Sequence, residues 1–190
     1  MKGFYPKDRY PCFQDFRALI AYTSKIGDKT LYKYLVNKDE VRELSYKQFS
    51  DNVINLATAI YALGLKNKKI ALVAESCPEW LQVYIATICA SAVIVPIDKE
   101  LMPDQIVSFA NVSECEAVFI TPACKKKLGA QLDCLQAKHV IDIDQNAFIP
   151  YDGSYETIAE EKNLNIYALI AYGAHLLSIG YMGIYNITYN

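Results

Sequence analysis

Ile70-Ala71-Leu72-Val73-Ala74 is a continuous apolar run, with lysines before it and Glu75-Ser76 after it. Apolar residues at every position, not at alternate ones, mark a strand buried on both faces, as in a parallel sheet. Ser76-Cys77-Pro78-Glu79 then opens a helix to about Ala90, and the proline is tolerated in the first turn because its missing N–H would have no partner there. Ala92-Val93-Ile94-Val95 reads as the next buried strand, ended by Pro96. Strand, helix and strand at this spacing form a crossover between parallel neighbours.

The same rhythm continues downstream. Pro103 starts a short helix to about Asn111, and Ala117-Val118-Phe119-Ile120 is a third strand. Lys125-Lys126-Lys127 opens a segment reaching Ala137, before a fourth strand at His139-Val140-Ile141-Asp142-Ile143. Upstream, Phe16, Leu19, Ile20, Thr23 and Ile26 stand at helical spacing, and Gly27 follows as a stop. Thr30 to Val36 and Val41 to Leu44 read as a hairpin around the polar turn Asn37-Lys38-Asp39-Glu40. Ser45-Tyr46-Lys47-Gln48 has the form of a capping box. It opens a helix with Phe49, Val53, Leu56, Ala57, Ile60 and Leu63 on one face, stopped by Gly64. The expected class is α/β: a mostly parallel sheet with flanking helices in βαβ units, preceded by a small β-hairpin.

Composition excludes several kinds of protein. The 190 residues are 53% hydrophobic and 21% charged, which rules out a disordered chain. Nineteen basic against 21 acidic residues give a net charge of -2, and that balance argues against nucleic acid as a partner. The six cysteines, at 12, 77, 89, 115, 124 and 134, contain no CxxC pair, and His139 and His175 are far apart. A structural metal site is not expected from such spacing. Residues 1–10 hold no apolar stretch long enough for a signal peptide, so a cytoplasmic protein with reduced thiols is the expectation.

Open α/β sheets bind ligands at the carboxyl ends of their strands, so the turns there are where chemistry should show. Glu75-Ser76-Cys77-Pro78 and Pro96-Ile97-Asp98-Lys99-Glu100 both lack glycine. A dinucleotide fingerprint needs glycine in such turns so that backbone can approach a pyrophosphate. Neither GxxxxGK[ST] nor GxSxG occurs. Asp98, Lys99 and Glu100 read as a solvated turn in preference to a catalytic set, and Lys125 to Lys127 as a solvated helix start in preference to a phosphate site. Trp80 reads as a packing anchor, and His175 as a core or surface residue. No catalytic, cofactor-binding or metal-ligating residue is assigned.

From Leu44 to Pro122 the residues resemble the adenylate-forming (AMP-binding) synthetases and ligases. Leu44-Ser45-Tyr46 before a helix ending in Leu63-Gly64-Leu65 is similar to the opening of that family, as are the strand Ile70 to Ala74 and Glu75-Ser76-Cys77-Pro78-Glu79-Trp80. Val93-Ile94-Val95-Pro96-Ile97-Asp98-Lys99-Glu100-Leu101 resembles the bacterial long-chain fatty acid–CoA ligases. The resemblance implies activation of a carboxylate by ATP with Mg2+, release of pyrophosphate and capture of the acyl-adenylate by CoA. That chemistry needs donors around the phosphates, a metal and a lysine near the developing charge. In the family these come from a Ser/Thr/Gly-rich phosphate loop, a tyrosine-glycine-threonine-glutamate motif, a hinge aspartate and a lysine of a C-terminal domain. None matches a position here, so ATP, Mg2+ and CoA are implied for the full-length family and no cofactor for this chain.

Leu169 to Gly180 resembles the helix that precedes the phosphate loop. Residues 1–190 are therefore expected to be the N-terminal part of an adenylate-forming domain, truncated before that loop and inactive alone. The alternatives are a non-catalytic α/β interaction module derived from that family and a membrane-associated protein, because Leu164 to Ile187 approaches a spanning length. Asn163 to Asn190 contains no Asp, Glu, Lys or Arg. A helix over Leu164–Ile179 would carry Ile166, Leu169, Ile170, Gly173, Leu176 and Leu177 on one face. Tyr167, Ala171, Tyr172, Ala174, His175 and Ile179 would fall on the other. A helix apolar all round is expected to leave roughly 400 Å² of apolar surface uncovered. Self-association or membrane-surface contact through 164–190 follows as an expectation.

Overall fold

The computed structural model describes residues 11–35, 39–143 and 158–184. Helix α1 (Phe16–Ser24) leads into the hairpin β1 (Thr30–Leu35) and β2 (Val41–Ser45). Then come α2 (Tyr46–Ala62), β3 (Lys69–Val73), α3 (Pro78–Cys89), β4 (Val93–Pro96), α4 (Pro103–Val112), β5 (Cys115–Ile120), α5 (Pro122–Leu128) and β6 (His139–Asp142). A short strand β7 (Asn163–Asn165) runs directly into α6 (Ile166–Ser178). The expected hairpin turn falls partly outside the described residues, at 36–38.

Five strands form one sheet in the order β4-β3-β5-β6-β7, and every pairing in it is parallel. The antiparallel pair β1-β2 is a separate sheet. Alternation along the central strands splits the core in two. Ile70, Leu72, Ala117, Phe119, Ile141 and Ile143 belong to the cluster that contains α2 and α3 side chains. Ala71, Val73, Val118, Ile120 and Val140 pack instead with Ile106, Val107 and Ala110 of α4 and with Cys124 and Leu128 of α5. The sheet is covered on both faces, which is why its strands are apolar throughout.

Local signals set the boundaries. The capping box forms: the Gln48 N–H donates to Ser45 Oγ at 3.1 Å, and the Ser45 N–H donates to Gln48 Oε1 at 3.0 Å. Gly64 takes the left-handed conformation that ends α2, with φ of 75°. The next two helix-to-strand turns use Ser91 and Glu114 in the same region, at φ of 58° and 56°.

Two expectations need correction. β4 is the edge of the sheet among the described residues, not a doubly buried strand, and Val93 is 51% exposed. An apolar run does not tell centre from edge, whereas Pro96, which lacks a donor, suits an edge. Lys125, Lys126 and Lys127 occupy the last turn of α5, not its start. There their charge complements the carbonyl end of the helix.

In the tail, Ile166, Ala168, Leu169 and Gly173 are buried, and α6 packs along α2. Gly173 makes this possible, because a Cβ there would lie 1.8 Å from the Asn55 carbonyl oxygen. Ile170, Leu176, Leu177 and Tyr172 are half-buried, while Ile179 and Met182 remain exposed. Among the described residues no helix is long and apolar enough to cross a membrane.

His139 is fully buried at the start of β6. Its Nδ1 lies 2.7 Å from the Glu161 carbonyl oxygen, and its Nε2 has no hydrogen-bond partner among the described residues. Burial pushes the imidazole below its ordinary value, and the Glu161 carbonyl offsets part of that shift.

Two outcomes follow for stability. Gly173→Ala forces the α2 and α6 backbones apart and should cost about 3 kcal/mol in urea unfolding. For His139, the unfolded chain takes up a proton below about pH 6.5 while the folded one resists. Stability should therefore fall as pH drops through 6.5, by up to about 1.4 kcal/mol per pH unit until the folded value is reached. Unfolding midpoints measured between pH 7.5 and 5.5 should drop less in His139→Gln than in the parent.

Candidate functional site

The carboxyl ends of the parallel strands converge on a cleft of about 370 Å³. Glu75, Ser76, Cys77 and Pro78 after β3 form one wall, Thr121 and Pro122 after β5 another, and Ile143 after β6 the floor's edge. Tyr34 and Leu35 of the hairpin reach over the opening. The hairpin is thus set apart from the main sheet but joined to it through the cleft.

Glu75 is the organising charge. Its carboxylate accepts hydrogen bonds from the Thr121 hydroxyl and, at 3.5 Å, from Cys124 Sγ. Burial pushes its pKa up, but the Thr121 hydroxyl, the Glu75 N–H and the Cys124 thiol together hold it below the ordinary carboxylate value, with help from Lys99. The Cys124 thiol is itself raised, first by burial. Cys77 takes the N-cap place of α3 without a side-chain cap bond, and burial pushes its thiol up to about 12. It stays protonated at neutral pH, so it is not an activated nucleophile.

Behind Cys77 lies a second charge. Glu79 is 4% exposed in the first turn of α3, where the helix N-terminus favours a carboxylate. The Tyr167 hydroxyl of α6 donates to Glu79 Oε1 at 3.2 Å. Burial, then the Glu79 charge, holds the Tyr167 phenol above its ordinary value. Tyr34 is raised by burial and by Glu79, and Arg42 of β2 partly opposes this. Hairpin, α3 and α6 therefore meet in one polar cluster at the back of the cleft.

Asp98, Lys99 and Glu100 form the solvated turn expected of them. Lys99 Nζ pairs with Glu100 Oε1 at 2.5 Å, and the Glu100 N–H donates to Asp98 Oδ1 at 2.9 Å. Two of the three lysines of α5 are structural ties. Lys125 Nζ bonds both Asp142 carboxylate oxygens at 2.9 Å, and Lys127 Nζ donates to the carbonyls of Lys99 and Leu101 at 2.5 and 2.8 Å. Trp80 stacks on Tyr84 with centroids 5.3 Å apart, the anchor expected, and His175 is an exposed residue of α6. All six cysteines are free, and among the described residues no group of three His, Cys, Asp or Glu side chains could hold a metal.

Sequence reasoning passed over Glu75, Thr121, Glu79 and Tyr167. One signal was available: Glu75 follows the most apolar strand and Thr121 follows β5, so both stand at carboxyl ends of adjacent parallel strands. Chemically, the cleft offers a fixed carboxylate, protonated thiols and a polar cluster already paired within itself. It can position a ligand. It has no poised acid, base or nucleophile among the described residues.

The chain matches the family model described as AMP-binding enzyme over residues 21–172. It is 29% identical over 80 residues to a crotonobetaine/carnitine–CoA ligase of Salmonella paratyphi B, covering 42% of this chain and 16% of that enzyme. It is 25% identical over 141 residues to the enzyme so named in Escherichia coli, covering 72% of this chain and 27% of the relative. The solved structure of an anthranilate CoA ligase with bound anthranoyl-AMP superposes with a TM-score of 0.62 at 15% identity, over 88% of this chain and 30% of that one. The chain spans less than a third of the length of each.

Thr121→Val removes the main donor to Glu75. The Glu75 carboxyl should then titrate higher by NMR, and stability at pH 7 should fall by about 1 kcal/mol, a loss reduced by partial exposure of the pair. Since Glu75 is held below its ordinary value, its contribution is present at neutral pH and is lost as pH falls through the folded value.

Proposed function

The chain belongs to the AMP-binding enzyme family, and we propose that it is the N-terminal part of the adenylate-forming domain of an acyl-CoA ligase, residues 1–190, without adenylating activity of its own. The observation that carries this reading is the match over residues 21–172 in a chain that spans only 16% to 30% of its relatives. In the whole enzyme the reaction would be carboxylate, ATP and CoA going to acyl-CoA, AMP and pyrophosphate, with Mg2+ neutralising the phosphates. A cytoplasmic location is part of the same proposal, supported by the six free cysteines.

A fatty acid is the substrate we propose, on the resemblance of Val93 to Leu101 to the long-chain ligases. The carnitine-type ligases among the relatives make a short polar acid the competing substrate. Inactivity is supported by the residues themselves. The phosphate loop and the tyrosine-glycine-threonine-glutamate motif have no counterpart in the sequence. The cleft residues that are present are committed to one another.

A non-catalytic interaction module derived from the family is the second reading. The open edge of β4, with Val93 exposed and Phe109 and Val112 exposed on α4, favours it. Contact through 164–190, with a second copy or a membrane surface, would rest on Ile179 and Met182, large apolar residues exposed there among the described ones. The coding sequence following codon 190 separates the two readings, since a phosphate-loop sequence there, in any frame, favours the ligase.

Incubated with ATP, Mg2+, labelled pyrophosphate and a panel of fatty and carnitine-type acids, the 190-residue chain should give no exchange above a blank without protein. Clear exchange with any acid would overturn the reading of an incomplete adenylation domain.

A further inference from the structure

Helix α4 carries its exposed apolar residues in one stripe. Met102, Phe109 and Val112 are 62%, 53% and 79% exposed, and with exposed Gln105 they stand at i, i+3, i+7 and i+10. At about 100° per residue the four fall within roughly 80° of the helix circumference. Met102 shares the helical run, because its carbonyl accepts from the Ile106 N–H at 3.0 Å. Ile106, Val107 and Ala110 form the buried face against the sheet. Asn111 marks one flank, where its side chain bonds the Cys134 carbonyl and the Gln136 N–H between α5 and β6. The stripe lies on the other flank, which looks toward β4.

The sheet continues this surface. α4 crosses from β4 to β5 over β3, so its flank away from β6 overhangs the edge strand. Val95 packs with the α4 side of the core, and alternation puts Val93 on that same face. Val93 and Cys115 are both paired with Lys69, so Val93 stands at the end of the sheet where α4 finishes with Val112. Val93, Met102, Phe109 and Val112 thus form one surface along the edge. Their apolar area is on the order of 400 Å², the size at which an exposed patch marks an interaction site.

The chemistry of the stripe points to its occupant. It contains no Asp, Glu, Lys or Arg, and Asp104 stands off it. Charges at its two ends are paired with each other, Lys69 with Glu114 and Lys99 with Glu100. A two-fold contact sets groups near the axis against their own copies, which like charges oppose and a neutral stripe permits. The spacing 3-4-3 also reads the same in both directions. An antiparallel copy therefore meets it in register, Met102 against Val112 and Gln105 against Phe109. Two such patches bury about 800 Å² of apolar surface, and at about 65% apolar content the whole contact reaches roughly 1,200 Å², the lower limit of specific interfaces.

We propose that a second copy of this chain docks on this surface, α4 against α4 in antiparallel register with Val93 at the rim, as a weak two-fold dimer. The proposal rests on this surface alone and does not depend on the adenylation reading.

Sedimentation velocity of the full 190-residue chain across the micromolar range tests it. The parent should show a concentration-dependent equilibrium between monomer and dimer. Met102→Asp and Val112→Lys each put a charge in the seam, yet both suit the helix, an acid at its N-cap and a base in its last turn. Each alone should weaken the dimer about tenfold or more, with the far-ultraviolet spectrum unchanged. Together they should recover most of that loss, because the antiparallel register sets the new carboxylate of one copy against the new ammonium of the other. Ile179→Lys, on the exposed part of the tail, should leave association as it is. Should one seam variant fail to fold, the other and Ile179→Lys decide. A parent that stays monomeric at high micromolar concentration leaves the stripe to a different protein and overturns the proposal. Undiminished association in a folded seam variant, a double variant no tighter than the single ones, or an equal loss in Ile179→Lys would each overturn it too.

Discussion

Two helices meet backbone to backbone at Gly173, and much of the molecule depends on that contact. A side chain there would overlap the Asn55 carbonyl, so α6 can lie along α2 only where it has none. α2 also packs against α1 and α3 and supplies Val53, Leu56 and Ile60 to the larger core cluster. Seating α6 therefore fixes what lies at its N-terminal end. β7 runs straight into α6 and pairs with β6, and Tyr167 in the first turn of α6 reaches Glu79 behind the cleft. One small residue thus couples helix packing, the last strand and the polar cluster.

Most of the fold was legible because its signals are local. Apolar runs at Ile70–Ala74 and Ala117–Ile120, a capping box at Ser45 and Gln48 and a left-handed stop at Gly64 each act within a few residues. What was not legible is relational. Val93 to Val95 are as apolar as a central strand, yet their place at the edge depends on the order in which strands assemble. β7 has three residues with polar flanks, too short for any periodicity, and exists because Val140 to Asp142 offer it a partner. Gly173 looks like any glycine in an apolar helix until Asn55, far away in sequence, is placed against it. Lys125 to Lys127 fall in the last turn of α5 because Pro122 already opens that helix.

The cleft illustrates the same limit in chemistry. Its position follows from a general property of parallel sheets, whose carboxyl ends leave a crevice between neighbouring turns. Its content does not. Glu75 and Thr121 belong to different βα turns, and their bond joins strands that are adjacent in space but 46 positions apart in sequence. Lys125 to Asp142 and Lys127 to the Lys99 and Leu101 carbonyls make further ties across the same end of the sheet. A nucleotide site at such a place needs unpaired backbone donors and room for phosphate, which glycine-rich turns supply. Here side chains fill that role for one another.

Faces and edges of a sheet also differ in what they demand, and this decides which parts of a larger enzyme can be left open. An uncovered apolar face costs about 25 cal/mol for each Å² left in water. Both faces of this sheet are covered, one by α2, α3 and α6 with α1 outside them, the other by α4 and α5. An edge exposes mainly backbone groups, which water satisfies nearly as well as a neighbouring strand does. The edge strand β4 is short and ends at Pro96, which has no N–H to offer, and both features blunt an edge against unwanted pairing. The sheet can therefore remain folded with β4 open. Covering the faces is what preserves the architecture of the family.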